Sequence, residues 1–476
     1  MIVGLLGIAM LASPLTATMY LPLLPALSKY YRVSMQAINL TITIYIIFQA
    51  VAPLLLASTS DYFGRRPIYL CTFALYTVAC LGLALNTTSY GALLVLRAIQ
   101  SLGASAILSV SYGTVADISV TAERGKFLGL LLTAANVGTS IGPVFGGLIV
   151  YKSGSFRWAF WALVVFGAFM LIALALVLPE TARNVVGNGK IRDRRWNQPI
   201  WTLLREHCNK KSRSNTLPEV ENEPTHRVKL TSPIASLRVI FYADTCLIIW
   251  IGSSFYALWY CIQASIPSIY KGQYSFNALQ TGLAYLPGSV GVILGMYFSG
   301  KAIDYNYKHT ARKLGLRIDK VKGDDLAEFP IEDARTKGCA YLLVLSLGIM
   351  VGYGWSVQKG VHVAAPLIFQ FAQGLLSTWI CQCYSILLVD GFPQTPSTAA
   401  TAGNMTRCVL SAIAVAVLEP FVHAVGYGWF MAFLGLLTGI GGLLAQVVLR
   451  KWGRRWRNAR TKETEESQSN RAGAVA

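Results

Sequence analysis

Apolar residues run along this chain in long uninterrupted blocks, not at the spacing of a surface helix on a water-facing core. Blocks of spanning length fall near residues 2–27, 38–59, 68–86, 91–116, 127–150, 158–178, 245–269, 279–300, 338–357, 364–389, 398–424 and 428–449. Two stretches, 2–27 and 159–178, contain no Asp, Glu, Lys, Arg or His, and each has the length that crosses ~30 Å of hydrocarbon. Within a bilayer every backbone N–H and C=O must be satisfied inside its own segment, so each block predicts an α-helix. The pattern therefore predicts an all-α membrane protein with twelve transmembrane helices in two six-helix pseudo-symmetric halves. The boundaries expected are 1–180 for the first half, 181–240 for a linker, 241–450 for the second half and 451–476 for a disordered tail.

Composition agrees: 54% of the 476 residues are hydrophobic and 13% charged, where a soluble protein carries roughly 25% charge. The net charge of +19 sits in the gaps between blocks, chiefly at 183–238, 301–337 and 450–462. Basic gaps alternate with nearly uncharged ones, which places both termini in the cytoplasm by the positive-inside bias. No basic face is interleaved with aromatics as single-stranded nucleic acid requires, so no nucleic-acid partner is expected. The basic, Pro- and Ser-containing central stretch reads as a flexible linker. At the start the bias fails: Met1 opens a block with no basic residue before it, while Lys29 and Arg32 lie on the opposite side. The expectation there is a native start upstream. Of the nine cysteines most lie inside apolar blocks, and Cys381 and Cys383 lack metal-ligand spacing; they read as buried apolar thiols.

A weak repeat relates the halves. Asp61 and Arg65 follow the second block as Asp304 and Lys308 follow the eighth, and Arg97, Gln100 and Asp117 share their spacing with Gln370, Gln373 and Asp390. Parallel six-helix repeats are a recurrent transporter architecture.

Three segments carry more than topology. Ala57-Ser-Thr-Ser-Asp61-Tyr-Phe-Gly64-Arg65-Arg66 joins the second and third blocks; Gly64 permits a tight turn, and Asp61 sits at the membrane edge, where a carboxylate needs a partner. Asp117, closing the fourth block, adds a second acid on that side. Arg97 lies roughly 10 Å into its helix at about 1.5 Å per residue, with Gln100 one turn on and on the same face. An arginine so deep calls for a water-filled cavity or a partner. In the fifth block Gly138, Gly142 and Gly146 recur every four residues beside Pro143 and Gly147. That gives a smooth face for close backbone approach and a bend at the proline.

Together these segments resemble the major facilitator superfamily, specifically its twelve-spanner drug:proton antiporter branch, the fungal multidrug and quinidine-resistance-like efflux transporters. The resemblance covers the chain apart from the linker and tail. The first segment is similar to G-x-L-A-D-R-x-G-R-R, with Ala57 replacing the first Gly and Tyr62 an Arg; the third fits G-x-x-x-G-P-x-x-G-G at every fixed position. Leu178-Pro-Glu-Thr181 also resembles this branch. The resemblance implies that Asp61, Gly64, Arg65, Arg66 and Asp117 form a cytoplasmic gate of charges, and that Arg97 serves proton or substrate coupling. It also implies that helix 5 packs on helix 8, where Gly291, Gly295 and Ser299 offer a matching strip.

Arg407 stands about nine residues from the cytoplasmic end of its block, hence roughly 14 Å deep, with Asn404 one turn before it. No Asp or Glu lies near the centre of any block. Two deep arginines without a deep carboxylate favour neutral or anionic substrates. No phosphate loop, Ser/His/Asp constellation or metal spacing appears, which argues against an enzyme, against ATP-driven transport and against any cofactor or metal. The function expected is a secondary transporter exporting small organic molecules (drugs, toxins, secondary metabolites or organic acids) by proton antiport and alternating access. Arg97, Gln100, Asn136, Asn404 and Arg407 are expected to line its pathway, with Gln49 and Tyr45 beside them. An organic-anion facilitator and a non-transporting sensor are the competing readings. The expected partners are a small-molecule substrate, protons and the lipid bilayer, for a monomer in the plasma membrane, with the vacuolar membrane as the alternative.

Overall fold

A computed structural model of the chain describes residues 2–87, 89–118, 121–182, 239–313, 329–392 and 396–473; the linker expected at 181–240 falls almost wholly outside them. The described residues contain helices and no strand. Eleven of these helices are long and apolar enough to cross a membrane. They are α1 (Ile2–Tyr31), α2 (Met35–Phe63), α3 (Arg65–Leu85), α4 (Tyr90–Ile118), α5 (Thr121–Ser153) and α6 (Arg157–Val177). Then come α7 (Ala243–Gly272), α8 (Ala278–Lys313), α9 (Ile331–Gln358) and α10 (Ala364–Asp390). The eleventh, within Pro396–Gly473, holds the last two predicted blocks on either side of Gly426, whose φ of 85° breaks the helix. We call its two parts α11 and α12. Gln358 secures the break by accepting the Gly428 N–H at 2.7 Å.

Local sequence sets the ends. Ser34 caps α2 by accepting the Ala37 N–H at 3.2 Å, and Asn277 with Gln280 forms a capping box that starts α8. Such caps satisfy N–H groups that have no partner inside the helix. In α1, Pro22 and Pro25 lack N–H groups, and the helix passes through a 3-10 turn at Leu21–Leu23. Large apolar side chains on the outer faces are widely exposed, as with Val78 at 66% and Val165 at 68%. Only hydrocarbon makes that arrangement favourable on so many helices.

The chain divides into two compact units, Met1–Pro233 with Tyr270–Tyr285, and Ile234–Ile269 with Leu286–Ala476. The cut thus differs from the sequence boundary: the first turns of α8 belong to the first unit, because Ala278–Leu283 packs on α5. In the first unit α4 packs on α2 and α3, α3 on α6, and α1 on α5; in the second, α8 packs on α10 and α9 on α10 and the last helix. The tail expected to be disordered from 451 is instead the continuation of α12, helical to Gly473. As far as Arg460 the continuation is held by Arg457 and Arg460, which are buried.

Candidate functional site

The turn between α2 and α3 is built on a carboxylate supplied from elsewhere in the chain. Gly64 has φ 106° and no side chain to cap α3. Glu180, just past α6, fills that role. Its carboxylate accepts the N–H groups of Arg65 at 2.8 Å and Arg66 at 3.1 Å, and those of Thr181 and Ala182, each at 2.9 Å. An anion at a helix N-terminus is also favoured by the helix dipole. The Arg65 side chain then turns towards α4, where its Nε meets Asp117 at 2.9 Å, and its Nη1 donates to Ser60 at 2.6 Å. Gly113 leaves the room: a Cβ there would lie 2.5 Å from the guanidinium carbon. Arg66 donates to the Ala175 carbonyl at 2.8 Å. Gly64, Arg65, Arg66 and Asp117 are therefore brought together as one cluster. Asp61 lies on α2, and its side chain is outside the described residues.

The second unit repeats the central pair with a different basic residue. Arg335 Nε meets Asp390 at 2.9 Å, both partly buried at the end of α10. Lys308, the sequence counterpart of Arg65, is exposed, as is Asp304. The short helical turn Ile331–Thr336 carries Arg335 to the acid instead. Gln373, counterpart of Gln100, is buried and donates to Ser346 at 2.8 Å and Ser377 at 3.0 Å.

The glycine strips find partners other than those expected. On α5, a Cβ at Gly138 would meet Leu11 and Pro14, one at Gly142 would run into Thr18, and one at Gly146 into the Met19 carbonyl. These three seat α5 on α1. Gly147 faces the start of α8, where its Cβ would lie 2.5 Å from the Ala278 carbonyl, and Gly282 approaches the Pro143 carbonyl. Helix 5 does meet helix 8, but through Pro143, Gly147, Ala278 and Gly282. Gly291 and Gly295 instead face the backbone of Phe371 and Leu375 on α10, and Ser299 is buried on the same helix. A strip of small residues allows a close neighbour without choosing which one.

The two deep arginines have opposite surroundings. Arg97 is 1% exposed and reaches no open space. Its guanidinium lies between the rings of Tyr20 and Tyr45, 4.0 and 4.3 Å from their centroids. Its Nη1 donates to Gln100 at 2.7 Å, and Gln100 donates to Cys80 at 3.0 Å. The rings are fixed in turn, Tyr20 by Thr41 at 2.7 Å and Tyr45 by the Ser13 carbonyl at 3.1 Å. This enclosure corrects the expectation that Arg97 lines a cavity: two aromatic faces, not water, stabilise the cation. Arg407 is only partly buried. Its Nη2 donates to Asn404 at 3.1 Å, and the Tyr256 ring lies 5.2 Å away. Tyr45, Arg97 and Gln100 thus gather in the first unit, and Asn404 and Arg407 in the second. Gln49 is half-buried with its Oε1 unbonded to any described residue, and Asn136 is half-buried one turn before Ser140.

Sequence reasoning missed Glu180, Tyr20, Tyr256 and Arg335. A signal existed for Glu180 alone: a helix beginning after Gly64 lacks a capping side chain, and Leu178-Pro-Glu-Thr181 offers a carboxylate at the matching edge.

The Major Facilitator Superfamily profile matches residues 6–415. An MFS-type transporter of a fungal species, phiD, is 35% identical over 90% of this chain, and the match spans 64% of that protein's length. The MFS-type transporter tstD of Talaromyces stipitatus is 32% identical over 96% of this chain and 82% of its own. Citrate exporter 1 of Aspergillus niger is 31% identical over 96% of this chain and 86% of its own. Among solved structures, a D-xylose-proton symporter aligns with a TM-score of 0.64 at 14% identity, covering 94% of this chain and 96% of that one.

Proposed function

The chain belongs to the Major Facilitator Superfamily, and from that premise we propose that it exports small organic anions in exchange for protons, by alternating access of a central site. The observation that carries this reading is Arg407. Its guanidinium is partly exposed, it donates a hydrogen bond to the neutral amide of Asn404, and no Asp or Glu lies near the centre of any apolar block. A cation at membrane depth without a paired carboxylate is stabilised by an arriving anion. The citrate exporter of Aspergillus niger, similar along nearly the whole chain, supports a carboxylate as that anion. Protons enter at the edge carboxylates Asp61 and Asp117, or on the substrate itself. In this reading the protein works as a monomer in the plasma membrane, and the distribution of Lys and Arg supports a cytoplasmic position for both termini.

The test is binding and flux in proteoliposomes, with citrate and its neutral triester as the paired probes. Arg407→Gln should weaken citrate binding by one to two orders of magnitude, about 1.4–3 kcal/mol, and leave the triester nearly unchanged. Equal losses for acid and ester would defeat the anion assignment. Citrate flux indifferent to an imposed pH gradient would defeat the antiport.

A further inference from the structure

We infer that one face of the α12 extension is a binding site for anionic phospholipid headgroups, formed by Lys451, Arg454 and Arg455 with Trp452 and Trp456 beside them. The inference is independent of what the protein transports. The helix continues without a break past the last apolar block at 428–449, and its basic residues divide between two faces.

Arg450, Arg457 and Arg460 face the second unit. Arg450 donates to the Thr336 carbonyl at 2.8 Å, Arg457 pairs with Glu332 at 3.0 Å, and Arg460 pairs with Asp244 and donates to the Gly391 carbonyl at 2.8 Å. Gly453 completes that face: a Cβ there would lie 3.2 Å from the Glu332 side chain. These arginines hold the turn that carries Arg335, so the inner face has a structural duty.

Lys451, Arg454 and Arg455 occupy the opposite face and are exposed. At 100° per residue they fall within one arc, and none is ion-paired with a described residue. Trp452 and Trp456 lie between the two faces, half-buried and stacked with centroids 6.4 Å apart. The depth fits a headgroup. Residues two to six positions past the apolar block lie about 3–9 Å beyond it along the helix, where the polar layer of a leaflet is found. Tryptophans prefer that layer, and a juxtamembrane cation gains appreciably from an anionic leaflet. Unpaired positive charge, interfacial aromatics and depth select a lipid headgroup over a soluble anion.

The experiment compares the full chain in phosphatidylcholine nanodiscs with nanodiscs containing one third phosphatidylserine. It reads thermal stability, and lipid retention by native mass spectrometry. Phosphatidylserine should raise the melting temperature of the natural chain, and high salt, which screens exposed charge, should remove the rise. The triple variant K451Q/R454Q/R455Q should match the natural chain in phosphatidylcholine and lose the rise, retaining phosphatidylserine roughly 100-fold more weakly. The charge-preserving variant R454K/R455K should keep it. The proposal is overturned if the natural chain melts alike in both lipids, if the triple variant responds to phosphatidylserine as the natural chain does, or if inorganic phosphate added to phosphatidylcholine nanodiscs reproduces the rise.

Discussion

The carboxylate of Glu180 occupies the space into which any side chain at position 64 would project. A Cβ on Gly64 would collide with Glu180 Oε2, and that oxygen also accepts the Arg66 N–H. The cap on α3 and the glycine before it are therefore one device joining the ends of α2 and α6.

Glu180→Ala should destabilise the protein by about 0.5–2 kcal/mol, the usual loss of an N-terminal helix cap. Gly64→Ala should do more harm, because it adds a clash to a backbone held at φ 106°. In the double variant the clash disappears with the carboxylate, so the two losses should sum to less than their separate values. Thermal unfolding of the four proteins in detergent measures the cycle; strict additivity would show that the two residues do not act on each other.

Asp117→Asn should be among the most damaging substitutions on this side of the membrane. It removes the ion pair with Arg65, which is only 10% exposed, and breaking a buried pair costs about 3–5 kcal/mol, discounted here because neither partner is fully buried. Asp390→Asn should behave alike in the second unit, where Arg335 is 15% exposed. Lys308→Gln, on an exposed residue, should stay within about 0.5 kcal/mol. A Lys308→Gln effect as large as the Asp390→Asn effect would restore Lys308 as the true counterpart of Arg65.

Gly142→Leu should weaken the seating of α5 on α1 by about 1–3 kcal/mol or more, the range for overpacking a filled interface. Gly291→Leu should do the same between α8 and α10, where the Phe371 and Leu375 backbones lie against it. Loss of folded yield on size-exclusion chromatography reports both. Normal yield and melting for Gly142→Leu would contradict the close approach to Thr18.

Tyr20→Leu should cost roughly 2 kcal/mol, because it removes one aromatic face from a desolvated guanidinium. Tyr20→Phe keeps that face and loses only the hydroxyl bond to Thr41, worth about 1 kcal/mol. The order of melting temperatures, natural chain above Phe above Leu, is the expected reading. If Phe and Leu proved equivalent, the ring would not be what holds Arg97.

The sequence by itself determined the helices, because a bilayer leaves each apolar block of spanning length no alternative way to satisfy its backbone. It also determined which ends bear charge, and the resemblance its motifs carry implied that Arg65 and Asp117 belong to one cluster at the membrane edge. Partner choice deeper in the fold was decided only by tertiary structure. Whether Arg97 met water or the rings of Tyr20 and Tyr45 depended on how α1 and α2 are rotated against α4. Whether Gly291 met α5 or α10 depended on which helix lay beside it, and a smooth strip admits either. Lys308 lost its place to Arg335 because the turn at 331–336 lies closer to Asp390 in space than the spacing in sequence suggests. The charges past residue 450 looked uniform in sequence, yet packing divided them: α12 presses one face on the second unit, so three arginines find acids and carbonyls while Lys451, Arg454 and Arg455 are left facing outward.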